Sequence, residues 1–86
     1  MALPDNWTVA DDGNSASIEL TAKNFLDALD LFNRIGPVAE ELDHHPDLHL
    51  TGYKKVRIVT WSHDKGTLTE RDERLAARIN ALLGPG

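Results

Sequence analysis

All four histidines of this 86-residue chain lie between positions 44 and 63. His44 and His45 are adjacent in Asp43-His44-His45-Pro46-Asp47, His49 follows, and His63 comes just past the strand-like run Ile58-Val59-Thr60-Trp61. Histidine is the side chain that takes or gives a proton near neutrality. A tandem pair locked by a proline, with another His beyond the next strand, therefore reads as an acid–base site. The duller alternative is a helix cap, since unpaired carbonyls and the negative end of the dipole attract imidazolium. Chain geometry recruits His63. If the strands flanking Tyr53 pair antiparallel, the end of the second returns beside His44 and His45.

Two carboxylates could serve these imidazoles. Glu40 stands one helical turn before His44, so its side chain can reach that ring and fix its tautomer, unless it forms an ordinary surface pair. Asp72 precedes Leu75 and Ile79 by three and seven positions and so shares their inward stripe. It either only caps its helix or supports the histidines. Metal coordination is the weaker reading: His45 and His49 cannot form a helical i,i+4 pair across Pro46, and no Glu or Cys spacing completes a zinc site.

The balance of the chain sets bounds. It has no cysteine, which removes disulfides and thiolate chemistry. Lys plus Arg total 9 against 14 Asp plus Glu, net −5, which argues against a binder of nucleic-acid backbone. No apolar run approaches the ~20 residues of a membrane span, and the start lacks a signal-peptide pattern. One domain over residues 1–86, in the cytoplasm, is the expectation. So small a core makes self-association a natural remedy.

The elements that must position the histidines follow from periodicity. Trp7 to Ala10 and Ala16 to Leu20 read as strands around the turn Asp11-Asp12-Gly13-Asn14. With Thr21 as N-cap, Phe25, Ala28, Leu29, Phe32, Ile35, Ala39 and Leu42 mark an amphipathic helix over about 22 to 43, kinked at Gly36-Pro37. Pro46 ends it. Leu48 to Thr51 and Lys55 to Trp61 are strands, and a last helix runs from a Thr69–Asp72 capping box to about Leu83. Trp7, Trp61, Phe25 and Phe32 are expected in the core. The fold class is α+β: a four-stranded antiparallel sheet with helices on one face, in the order β-β-α-β-β-α. The strand over 15–20 is expected at an edge, where a symmetry mate could pair.

With these residues in hand, the chain resembles the pterin-4a-carbinolamine dehydratase family. The resemblance rests on Glu40-Glu41-Leu42-Asp43-His44-His45-Pro46-Asp47, Tyr53, Lys55-Val56-Arg57-Ile58, His63 and Gly66-Thr67-Leu68-Thr69-Glu70-Arg71-Asp72. It reaches back through Lys23-Asn24-Phe25 and Asn33-Arg34, and covers about Trp7 to Leu83. It implies loss of water from a 4a-hydroxytetrahydropterin to give quinonoid dihydropterin, recycling the cofactor of aromatic amino acid hydroxylases. No metal or organic cofactor is implied.

The resemblance assigns proton transfer to His44 and His63, and gripping and polarising the pterin to His45. It implies substrate contacts from His44, His45, Pro46, Ser62, His63, Asp64 and Lys65, with Glu40 and Asp72 in support. Partners would be the pterin and further copies of the chain, as a dimer or tetramer, with neither nucleic acid nor membrane. Two departures stand out: Gly52 resembles a one-residue insertion before Tyr53, and most of the helix that usually precedes Trp7 is lacking. The rival function is binding alone, as in relatives that assist a transcription factor's dimerisation or assembly of the carbon-fixing carboxylase.

Overall fold

The computed structural model describes residues 3–62 and 64–83. Six elements follow in the order β1 (Thr8–Val9), β2 (Ala16–Thr21), α1 (Phe25–Leu42), β3 (Asp47–Thr51), β4 (Lys55–Thr60) and α2 (Glu70–Leu83). The four strands form one antiparallel sheet in the order β1-β2-β4-β3. The fold is α+β, as the periodicities predict.

Alternation decides which face of the sheet is covered. Ile18 pairs with Ile58 and Ala16 with Thr60, and all four are buried together with Val56. The intervening Glu19 and Arg57 are exposed on the opposite face, where they form an ion pair. Onto the apolar face pack Ala28, Leu31, Ile35 and Val38 of α1 and Leu75, Ala76 and Ile79 of α2, closed by Trp7 and Leu68. Trp7 is anchored by its indole N–H, which donates to Asn80 Oδ1 at 2.9 Å.

Several expectations need correction. Helix α1 starts at Phe25 with Asn24 as N-cap, its Oδ1 accepting from the Asp27 N–H at 2.8 Å. Thr21 cannot cap, because β2 continues through it to pair with Lys55. The expected single helix does continue through Pro37, to Leu42. Its buried stripe is centred on Leu31, Ile35, Val38 and Ala39. At about 100° per residue, Phe25 and Leu29 fall roughly 90° and 130° from that centre. Both are exposed. Phe32 and Trp61 are half-buried, so of the four aromatics expected inside, Trp7 alone is fully covered.

The edge strands are β1 and β3, not the segment over 15–20, because β2 lies between β1 and β4. The β3–β4 hairpin turns through Gly52, Tyr53 and Lys54, with φ of 52° at Gly52 and 56° at Tyr53. Gly52 suits that left-handed region, whereas Tyr53 adopts it despite its Cβ. The extra residue is therefore accommodated in the turn. At about 3.3 Å per residue, β3 carries Tyr53 roughly 16 Å from the strand's start.

Candidate active site

Helix α1 ends in a way that splits the tandem histidines. Asp43 takes a left-handed conformation, φ 51°, and its N–H bonds the Glu40 carbonyl. The next N–H, that of His44, reaches back to the Ala39 carbonyl at 3.0 Å. This pair of bonds is a Schellman stop, so main-chain groups rather than imidazoles satisfy the helix end.

Past this stop the two rings diverge. His44 is 6% exposed, and its Nε2 lies 2.6 Å from Oδ1 of Asp72. The side chain of His45 is 57% exposed and pairs through Nε2 with Glu40 Oε2. The expected Glu40–His44 contact is therefore replaced by Glu40–His45. The left-handed step at Asp43 takes His44 off the helical spacing that would have aligned it with Glu40.

Asp72 is the centre of the arrangement and is fully buried. Oδ1 accepts from Thr60 Oγ1 at 2.5 Å as well as facing His44. Oδ2 accepts from Ser62 Oγ at 2.8 Å and from the Thr69 N–H at 2.9 Å. The last of these is the N-cap half of the capping box that begins α2. The cap and the support of histidine, set as alternatives by the sequence, are held by one carboxylate at once. Burial is the largest influence on this group and pushes its proton affinity up. Hydrogen bonds from Thr60, His44, Thr69 and Ser62 outweigh it and hold the carboxyl below its ordinary value.

His44 and His45 share a recess of about 360 Å³ with Asp43, Asp64 and Arg71. That volume lies in the range of small-ligand sites. The Arg71 guanidinium donates to Asp64 Oδ1 at 2.5 Å, which holds the Asp64 carboxyl below its usual range. The antiparallel return expected for β4 is present, with Val59 paired to Asp47. It brings the segment after Thr60 back to His44. His63 itself lies outside the described residues.

Of the remaining expected contacts, Pro46 is half-buried and Lys65 is exposed. The Ser62 side chain is buried, and its hydroxyl is engaged by Asp72 and Thr69, which leaves its main chain as the part that could face the recess. Thr60 is the residue that sequence reasoning missed. Alternation groups it with Val56 and Ile58 on one face, and a hydroxyl on that otherwise apolar face was the available signal. Among the described residues no three His, Asp or Glu side chains are grouped as metal ligands.

Comparison with known proteins bears on this arrangement. Residues 1–82 match the family model for pterin 4 alpha carbinolamine dehydratase. The chain belongs to the pterin-4a-carbinolamine dehydratase family. An Arabidopsis thaliana member, named pterin-4-alpha-carbinolamine dehydratase 2, mitochondrial, is 44% identical over 78 residues, which are 88% of this chain and 42% of that protein. The chain thus spans less than half of that relative. The crystal structure of a transcriptional coactivator/pterin dehydratase from Brucella melitensis superposes with a TM-score of 0.85 at 29% identity, covering 93% of this chain and 84% of that one. A pterin dehydratase-like protein described as a RuBisCO assembly factor in the alpha-carboxysome gives a TM-score of 0.76 at 18% identity, with 94% and 93% covered. That likeness speaks to the fold alone. Among the described residues no helix is long and apolar enough to cross a membrane.

Proposed function

We propose that this chain dehydrates a 4a-hydroxytetrahydropterin to the quinonoid dihydropterin. The observation that supports this most is the buried His44–Asp72 pair opening on a recess that also holds His45. In the reaction a base removes the N5 proton, and that electron pair forms the C4a–N5 double bond. The C4a–O bond breaks, and an acid protonates the departing oxygen so that it leaves as water. His44 and His63 carry these proton transfers, and His45, oriented by Glu40, grips and polarises the pterin. Asp72 touches no substrate and acts through His44. No metal or organic cofactor takes part.

We further propose that the chain self-associates through the open edge of β3, in the cytoplasm, as a dimer or tetramer. β3 offers unpaired main-chain groups and an exposed Leu48. The second reading is a binding role without catalysis, favoured by the description of the Brucella neighbour as a transcriptional coactivator as well as a pterin dehydratase. A dehydration assay with freshly generated 4a-carbinolamine separates the two. Turnover above the uncatalysed rate supports the enzyme, and its absence in folded protein favours the binding role.

A further inference from the structure

The proton on the His44–Asp72 contact can sit on either partner, and which one holds it decides what His44 can do. If Asp72 is ionised it is an acceptor only, so His44 must donate from Nε2. The ring nitrogen left over is then Nδ1. No buried side-chain nitrogen or oxygen among the described residues lacks a partner, and His44 lines the recess. With Nε2 committed to Asp72, Nδ1 is the ring nitrogen left for proton exchange in the recess that His44 lines.

What keeps Asp72 an acceptor is the set of donors around it. The Thr69 N–H is obligatory and always points its hydrogen at Oδ2. Thr60 gives its hydroxyl hydrogen to Oδ1 and Ser62 gives its own to Oδ2. Since the single hydroxyl hydrogen of Ser62 goes to Asp72, the Thr69 hydroxyl donates in turn to Ser62, 2.8 Å away. Three donors thus fill three of the four lone-pair positions of the carboxylate and stabilise its ionised form, so that the proton on the fourth, shared with His44, is drawn to Nε2.

We infer that Thr60 and Ser62 are positioning residues for the dehydration: their hydroxyls hold Asp72 as an acceptor, lock the His44 proton on Nε2, and so make Nδ1 the atom that exchanges protons with substrate. This rests on the proposed reaction, but its core is a statement about a tautomer and can be tested without turnover. Among the described residues, the other charged or titratable groups that line the recess are Asp43, His45, Asp64 and Arg71. None is hydrogen-bonded to the His44 ring.

The test is ¹⁵N NMR of the His44 ring in the wild-type protein, followed by Thr60→Val, Ser62→Ala and the conservative Thr60→Ser. Neutral His44 should show a pyrrole-type Nε2 and a pyridine-type Nδ1. Thr60→Val, and more so Thr60→Val combined with Ser62→Ala, should mix the two tautomers. Dehydration should fall about tenfold in kcat with KM little changed, the effect expected from losing one hydrogen bond that matters only to proton transfer. Thr60→Ser should restore both readouts. A wild-type His44 protonated on Nδ1 overturns the inference even if every variant fails to fold. So does a folded Thr60→Val protein that keeps the wild-type tautomer and rate. If the tautomer behaves as stated but no variant or wild-type protein turns over carbinolamine, the cage stands and the proposed reaction falls.

Discussion

His44 and His45 are consecutive residues whose imidazoles lie in opposite surroundings. His44 Nε2 contacts a carboxylate that is itself fully buried, whereas His45 Nε2 contacts Glu40, whose side chain is 76% exposed. The single left-handed residue Asp43 ends the helix just before them and frees the main chain to turn between them.

This asymmetry predicts different penalties for similar substitutions. His44→Ala removes a hydrogen bond to a buried charge and should cost about 1.5–3 kcal/mol of stability. For a domain of this size that is roughly 6–24 °C of Tm. His45→Ala loses an exposed pair worth about 0–1 kcal/mol and should melt nearly as the parent does. Calorimetry of the two variants side by side decides it, and equal melting losses would contradict the assigned burial.

Activity should not follow that ranking. General acid–base groups typically contribute about 10²–10⁴-fold. His44→Ala and His45→Ala should both nearly abolish catalysed dehydration, and His63→Ala should reduce it substantially. His49 sits opposite Arg57 on the exposed face of β3, so His49→Ala should be silent. If folded His44→Ala and His63→Ala proteins keep the parent rate, the proposed reaction is wrong.

Acid should strike at Asp72. The four hydrogen bonds it accepts hold its carboxyl below the ordinary value despite burial. Between the folded and unfolded values the unfolded chain therefore binds more protons, so stability rises with pH there. The contribution is complete above about pH 4 and is lost as pH falls through the lower folded value. The ¹³Cγ resonance of Asp72 should titrate below that ordinary range. A midpoint at or above it would refute the account of the cage.

Light scattering at micromolar concentration should return a multiple of the 9.5 kDa chain mass. Protein purified without a histidine tag should contain no stoichiometric zinc, and a chelator should leave dehydration intact. A strictly monomeric mass would remove the case for pairing along β3. One metal held per chain would overturn the proton-transfer assignment of the histidines.

The sequence revealed the site's parts better than their pairing. Alternation grouped Val56, Ile58 and Thr60 on one face of β4, though apolar residues on both faces left open which turns inward, and the stripe of Leu75 and Ile79 carried Asp72 inward with it. Those periodicities belong to backbone geometry and survive into the fold. The partner of Glu40 was not legible, because it depends on the one backbone dihedral that breaks the helical spacing. Strand order was hidden for a different reason. Nothing local in Ala16–Thr21 says that β4, rather than solvent, lies along its far side. The bond between the Ser62 hydroxyl and Asp72 was not legible either, because it joins a loop residue to a helix start through a buried carboxylate.

The unequal burial of the two histidines also bears on how sequences of this kind should drift. A lineage that no longer needed the reaction could lose the solvent-facing His45 at almost no cost to folding. Losing His44 would strip a partner from a charge that has no water to turn to, and so would be resisted by folding whatever the protein does. The inner histidine and its aspartate are thus a fossil that outlasts its use. In judging whether a descendant of this fold still works on its substrate, the outer position is the more telling witness.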